Sequence, residues 1–182
     1  KGETLEDIVA RGALTEQDFR SLVEQTLDGM LAAHRAGVIH LDLKPQNLMI
    51  TWLPAGGFQV KILDFGLAMA AQQPVMQETD KDGAIMGSIF FMAPEQFERG
   101  NVDKRTDLYA LGCIFYYALT QRYPFGGELA VQVMTAHMHH VRVPLEKLRP
   151  DLPPFLHEWV EWMISRLPED HPPTEEDALV AF

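Results

Sequence analysis

Four short polar segments of the chain carry side chains that could do chemistry together. In chain order they are residues 40–47 (HLDLKPQN), 64–66 (DFG), 93–95 (APE) and Asp107. Carboxylate and amide oxygens are ligands that Mg²⁺ prefers, and a lysine ammonium can neutralise a phosphate. A carboxylate in the same loop can accept or orient the proton of an attacking hydroxyl. Brought together by the fold, such groups could bind a hard metal ion, neutralise an anion and take up a proton.

The predicted hairpin would position two of these segments. Short apolar runs at residues 48–51 and 58–63 flank a turn that contains Pro and Gly, which predicts two antiparallel strands. The first strand begins directly after Asn47, and the second ends directly before Asp64. The hairpin would therefore bring these two side chains close together, although they are distant in sequence.

The remaining patterns are mainly helical. Apolar residues recur at helical spacing after Thr15, which predicts a long amphipathic helix with Gly37 as its stop. Residues 108–119 are apolar nearly all round, which predicts a helix buried in the centre of the domain. Residues 66–92 are irregular, and a loop of that length in a compact domain is uncommon unless it is functional. Shorter helical patterns cover residues 4–11, 128–140 and 155–166. We therefore expect one mainly α domain over residues 1–182, with one small β-hairpin.

Composition excludes several classes of function. The chain has 182 residues and a formal net charge of −11, which argues against a nucleic-acid partner because such a protein needs a basic face. Cys113 is the only cysteine, so no intrachain disulfide is expected. The longest apolar stretch is too short to span a bilayer. The chain starts without Met and stops within a helical pattern, so we expect both ends to be cut and any membrane tether to lie outside it.

Taken together, the four segments resemble those of the eukaryotic-like protein serine/threonine kinases. The family's HxDxKxxN, DFG and APE motifs and its helix-opening aspartate all have counterparts here, in the family's order and with its spacings. The resemblance covers all 182 residues and implies the C-terminal lobe of a kinase, a mainly α helical bundle with a small β-hairpin beside the catalytic loop and no N-terminal lobe. Residues 38–47 and 137–153 look like those of bacterial members, and the resemblance implies a cytoplasmic location.

The resemblance implies three catalytic residues. Asp42 would accept or orient the proton of the attacking hydroxyl, and Lys44 would place a cation beside the transferring phosphate. Ser88 matches the small hydroxyl residue that contacts both. Lys44 together with Ser88 favours serine or threonine over tyrosine hydroxyls of a protein substrate.

Three further residues would bind the nucleotide and its metal. Asn47 and Asp64 would supply oxygen ligands to Mg²⁺, for which Mn²⁺ could substitute. Met49 would lie beneath the adenine ring of ATP. Gly66 would give the chain the freedom to turn away after the metal ligand.

The resemblance also implies supporting roles around the loop. His40 and Phe65 would stack in the hydrophobic column that links the two lobes of a kinase. Asp107 would brace the catalytic loop through its backbone amides.

Two of the departures from the family pattern replace an arginine. Leu41 replaces an arginine that normally holds a phosphate on the activation loop, so activity is expected not to depend on loop phosphorylation, although Thr79 is a candidate acceptor. His171 stands where the family has an arginine buried against the APE glutamate, here Glu95. A His–Glu pair is therefore expected at this place.

A third departure concerns the upstream part of a kinase domain. No Gly-rich phosphate loop, strand lysine or helix glutamate precedes residue 40. Because half of the ATP cleft would be missing, residues 1–182 alone are expected to transfer phosphate very poorly, whereas a parent protein with its N-terminal lobe would be active.

Two other functions remain open. A pseudokinase would keep the fold as a binding or scaffolding module. The presence of all four polar residues needed for phosphoryl transfer argues against it: Asp42, Lys44, Asn47 and Asp64. A small-molecule phosphotransferase shares an HxDxxxxN loop and a metal aspartate, whereas APE and Ser88 favour a protein kinase.

His34 is expected to be a satisfied core residue, and a metal site at His137, His139 and His140 is disfavoured because no Cys or carboxylate partners them at ligand spacing.

Overall fold

The computed structural model describes residues 2–65, 87–98 and 100–182. Within these ranges, a three-stranded antiparallel sheet lies beside a larger set of helices. The strands are β1 (Glu3–Thr4), β2 (Leu48–Trp52) and β3 (Phe58–Ile62). The helices are α1 (Leu5–Arg11), α2 (Glu16–Arg35), α3 (Pro94–Phe97), α4 (Lys104–Thr120), α5 (Ala130–Met138), α6 (Leu145–Leu148), α7 (Pro154–Met163) and α8 (Glu175–Ala181).

The sheet contains the predicted hairpin and one strand that the sequence did not reveal. β2 pairs with β3, with Leu48 opposite Ile62. The turn between them uses Gly56 and Gly57, both with positive φ, a conformation that glycine adopts without strain. β1 adds to the other edge of β2 and is only two residues long, too short to show an alternating pattern. The prediction of a small β-hairpin in a mainly helical chain is confirmed, and the sheet is one strand larger.

The long amphipathic helix forms as predicted. Thr15 is the N-cap of α2, and its hydroxyl accepts a hydrogen bond from the amide of Asp18. Its buried face carries Phe19, Leu22, Val23, Leu27 and Met30. α2 ends at Arg35, and Gly37 follows with a positive φ. This face packs into the core and thereby fixes the position of the helix C-terminus, from which the chain leads into the polar loop at residues 40–47.

Helix α4 is the centre of the domain. All of residues 106–119 are buried, which agrees with their nearly uniform apolar character. Gly112 permits a close approach to α7, because a Cβ at this position would lie 2.7 Å from a side-chain atom of Met163. The buried helix carries Asp107 in its first turn and thereby places a carboxylate in the core.

Three features named from the sequence fall wholly or partly outside the described residues: Gly66, the candidate phosphoacceptor Thr79, and most of the irregular segment at 66–92. Within the described part of the chain, no helix combines the length and the apolar character needed to cross a membrane.

Candidate active site

A buried carboxylate holds the backbone at the start of the polar loop. Asp107 is 1% exposed; its Oδ2 accepts the amide N–H of His40 at 2.7 Å, and its Oδ1 accepts that of Leu41 at 2.8 Å. Leu41 has a φ of 61°, in the left-handed region where a non-glycine residue is strained. Two charge-assisted hydrogen bonds on neighbouring amides stabilise this turn and fix the direction in which the next residue, Asp42, leaves it.

Asp42, Lys44 and Ser88 form a closed set of polar contacts. Lys44 Nζ lies 3.1 Å from Asp42 Oδ2 and donates to Ser88 Oγ at 3.0 Å. The Ser88 hydroxyl in turn donates to Asp42 Oδ1 at 2.8 Å. The side chains of Asp42 and Lys44 are 32% and 22% exposed, so a substrate can reach them. The structure thus brings together the three residues that the sequence named as catalytic.

Asn47 and Asp64 lie at the open end of the hairpin, where the sequence predicts them: Asn47 directly precedes β2, and Asp64 follows β3 by two residues. Asn47 ends a 3₁₀ turn, Pro45–Asn47, and its Nδ2 donates to the carbonyl of Asp42 at 2.9 Å. The amide of Leu63 donates to the Asn47 carbonyl at 2.8 Å, which holds Asp64 beside Asn47. Asp64 has a φ of 62°. Both residues offer an oxygen to a hard cation, and the bond from Nδ2 fixes the orientation of the Asn47 amide.

His40 connects the loop to the segment that carries Asp64. Its Nε2 donates to the carbonyl of Leu63 at 2.8 Å, and its Nδ1 accepts the amide of Asp42 at 3.3 Å. These two bonds require the neutral tautomer with the proton on Nε2. The His40 ring also packs on Phe65, with 4.9 Å between the ring centroids. The expected contact between His40 and Phe65 is therefore present.

Met49 lies on β2 at the edge of the same region. It is half-buried and pairs with Thr4 on one side and Lys61 on the other. A Cβ at Gly2 would lie 2.7 Å from its sulfur, so the chain before β1 packs closely on this side chain. Met49 is thus part of a surface formed by all three strands.

The expected His171–Glu95 pair does not form between these two described residues. Glu95 Oε1 accepts from the hydroxyl of Thr106 at 2.7 Å, and His171 Nε2 donates to the carbonyl of Ser165 at 2.6 Å. Glu95 Oε2 and His171 Nδ1 are buried and have no hydrogen-bond partner among the described residues. Burial lowers the pKa of His171, so the imidazole is neutral and its Nδ1 is an acceptor. Each of the two side chains is hydrogen-bonded to a different partner, so the expected pair was wrong.

Sequence reasoning missed two residues that support the loop. Gln96 donates to the carbonyl of Leu41 at 3.2 Å and accepts the amide of Ala93 at 2.9 Å, so it ties the loop to α3. Gln46 Nε2 donates to Glu6 on α1 at 2.5 Å. Neither glutamine has a distinguishing local pattern. For Gln46, its position inside the polar loop at residues 40–47 was the one feature of the sequence that could have indicated a supporting role.

His34 is buried with both ring nitrogens in contact with carboxylates, which confirms the interpretation as a satisfied core histidine. Nε2 lies 2.9 Å from Asp107 Oδ2 and Nδ1 lies 2.5 Å from Glu175 Oε1. Burial opposes the charged form, but the hydrogen bonds and charges of the two carboxylates raise the pKa of His34 to about 9. At neutral pH His34 is therefore an imidazolium.

Comparison with known proteins agrees with this geometry. The family model for the protein kinase domain matches residues 1–174. The chain belongs to the eukaryotic-like protein serine/threonine kinase family. Its fold is that of part of a kinase domain and corresponds to the C-terminal lobe.

Three bacterial relatives illustrate the similarity. The kinase chain is 38% identical over 154 residues to the probable serine/threonine-protein kinase PknB of Bifidobacterium longum, covering 84% of this chain and 22% of the relative. It is 37% identical over 168 residues to the serine/threonine-protein kinase PknA of Mycobacterium tuberculosis, covering 92% and 37% respectively. With the serine/threonine-protein kinase pkn2 of Myxococcus xanthus, the identity is 34% over 152 residues, covering 84% and 18%. The kinase chain thus spans well under half the length of these relatives.

Proposed function

We propose that the chain supplies the catalytic lobe of an enzyme that transfers the γ-phosphate of ATP to serine or threonine hydroxyls of protein substrates. The observation that carries the proposal is the closed contact set of Asp42, Lys44 and Ser88, next to the Asn47–Asp64 pair. A carboxylate, an ammonium and two oxygen ligands are the set that phosphoryl transfer to a hydroxyl requires.

Each residue of the contact set has a defined task in this proposal. Asp42 accepts or orients the proton of the substrate hydroxyl, because its carboxylate is exposed and fixed by Ser88. Lys44 places a positive charge beside that carboxylate and stabilises negative charge that develops on the transferred group. Ser88 keeps the two charged groups at fixed separation by donating to one and accepting from the other.

The donor set at the hairpin end fits Mg²⁺. Asn47 and Asp64 offer one amide oxygen and one carboxylate, which are the ligand types that this cation takes. Asn47 and Asp64 would hold the Mg²⁺ ion, whose charge would offset the negative charge of the nucleotide phosphates. Met49, half-buried on the strand that begins directly after Asn47, would lie beneath the adenine ring of the nucleotide.

The substitution Asp42→Asn tests the function directly. It keeps the shape of the side chain but removes the proton acceptor, so phosphate transfer from ATP to a basic test protein should fall by at least about 100-fold, as for loss of a general base. The measurement uses the longest available form of the protein that contains residues 1–182. Binding of the Mg²⁺–nucleotide complex should be retained.

The matched control is Asp28→Asn, which makes the same change at an exposed position on α2. It should leave the rate unchanged. A wild-type protein that binds nucleotide but transfers no phosphate would overturn the proposal in favour of a pseudokinase. Equal rates for Asp42→Asn and wild type would remove Asp42 from the mechanism.

A further inference from the structure

The last helix of the chain begins with a buried carboxylate. Glu175 is the first residue of α8 and is 1% exposed, although glutamate is almost never fully buried without a partner. Its neighbour Glu176 is half-exposed and forms an ion pair with the exposed Arg35. Two successive glutamates of one helix thus have opposite environments, and only the first contacts the core.

Glu175 reaches the catalytic loop through two intermediates. It accepts from His34 Nδ1 at 2.5 Å, and His34 Nε2 donates to Asp107 Oδ2 at 2.9 Å. The same Asp107 oxygen accepts the amide of His40 at 2.7 Å. A continuous buried path therefore joins α8, α2, α4 and the backbone that precedes Asp42.

The charges along this path depend on one another. His34 can donate from both nitrogens only when it is protonated. Burial raises the pKa of Glu175, but the hydrogen bond and charge of His34 outweigh that effect and the pKa is lowered. Without Glu175, the buried His34 ring would keep only its hydrogen bond to Asp107. With one of its two hydrogen bonds lost, the ring could rotate away from Asp107.

We propose that Glu175 is a positioning residue for phosphoryl transfer: it fixes the His34 ring, and His34 fixes the Asp107 carboxylate that holds the amides of His40 and Leu41 beneath Asp42. The inference rests on the proposed function for its kinetic consequence. Its structural part, the tie between α8 and the two amides, is independent of any activity.

The test compares Glu175→Ala with Glu176→Ala, two identical changes at adjacent positions of α8. Hydrogen exchange of the His40 and Leu41 amides is followed by NMR in the protein without nucleotide or substrate. Glu175→Ala should accelerate exchange of these two amides by about tenfold, the factor expected when a buried charge-assisted contact is lost. Glu176→Ala should leave both amides as in the wild type.

A kinetic measurement on the longest form of the protein gives the second readout. Glu175→Ala should lower kcat about tenfold with little change in KM for ATP, because the loss concerns the position of Asp42 and not nucleotide binding. Glu175→Gln, which can still bond His34, should recover most of the loss. If Glu175→Ala does not fold, Glu175→Gln takes its place: it removes the charge but keeps a bond to His34, so exchange of the two amides should be faster than in Glu176→Ala but accelerated less than tenfold, and exchange equal to that of Glu176→Ala would overturn the inference.

The outcomes separate the two proposals. Exchange at His40 and Leu41 that is the same in the Glu175 and Glu176 variants would overturn this inference, even if the wild type is an active kinase. Accelerated exchange in a protein whose wild type transfers no phosphate would leave the structural tie in place and overturn the proposed function.

Discussion

A single hydroxyl connects the two charged side chains of the polar loop. Ser88 donates to Asp42 and accepts from Lys44, and a hydroxyl can do both at once because it carries one proton and two lone pairs. The ammonium of Lys44 also contacts the carboxylate of Asp42 directly, at 3.1 Å. At the scale of the residue, the uncharged side chain of Ser88 therefore orients the ion pair between Asp42 and Lys44.

The substitution Ser88→Ala should lower kcat by about 10- to 100-fold, which corresponds to loss of a hydrogen bond to charged groups worth roughly 1.5–3 kcal/mol. Ser88→Thr keeps the hydroxyl and should retain most of the activity. Steady-state kinetics with a peptide substrate measure both variants, with Ser21→Ala on α2 as the control. A kcat for Ser88→Ala equal to that of the wild type would show that the hydroxyl has no part in the reaction.

At the scale of elements, three helices meet at one imidazole. His34 belongs to α2, Asp107 to α4 and Glu175 to α8, and the three side chains are each at least 95% buried. The two carboxylates raise the pKa of His34 to about 9, from 6.5 in an unfolded chain. The folded state therefore binds a proton that the unfolded state releases between these two values, and the contact stabilises the fold more at low pH than at high pH.

The contribution of His34 to the free energy of unfolding should be complete below pH 6.5 and should be lost as the pH rises to about 9. The limiting slope is about 1.4 kcal/mol per pH unit for one proton. Urea unfolding at a series of pH values measures it. His34→Gln should flatten the alkaline side of the curve, and an unchanged slope in this variant would contradict the assignment.

At the scale of the whole molecule, a second histidine imposes the opposite pH dependence. His137 is fully buried, its Nδ1 is hydrogen-bonded to the hydroxyl of Tyr109 at 2.7 Å, and its ring packs on Phe125, with 4.4 Å between ring centroids. Burial lowers its pKa to about 3. Between pH 6.5 and about 3, His137 binds a proton in the unfolded state but not in the folded state, so acid favours unfolding. Together, His34 and His137 favour a maximum in the free energy of unfolding near pH 6.5, because the His34 contribution is lost at higher pH and the His137 contribution at lower pH.

The His137 contribution should weaken the fold progressively as the pH falls from 6.5 to about 3, again by at most about 1.4 kcal/mol per unit. The double variant Tyr109→Phe and His137→Leu removes both hydrogen-bonding partners and leaves neither unsatisfied. Its acid-unfolding midpoint, followed by circular dichroism, should move to lower pH than that of the wild type. A midpoint that stays in place would assign the acid sensitivity to other groups.

The sequence by itself determined the local elements and the chemistry of the loop. Helix periodicity, the cap at Thr15 and the polar residues at the hairpin ends depend on neighbours along the chain, so they can be predicted without knowledge of the fold. The placement of Asn47 and Asp64 at the same end of the hairpin was predictable for the same reason, since a hairpin with a short turn has few alternative registers.

Only the tertiary structure decided the contacts between distant segments. Glu175 meets His34 across 141 positions, β1 is too short to carry a pattern, and Glu95 bonds Thr106 where His171 was expected. Such pairings depend on how buried helices pack, and no local periodicity encodes which of several polar side chains will find a partner in the core. The sequence therefore predicted the chemistry of the loop, and the packing of α2, α4 and α8 decided how the loop is held, because burial makes each unpaired charge costly.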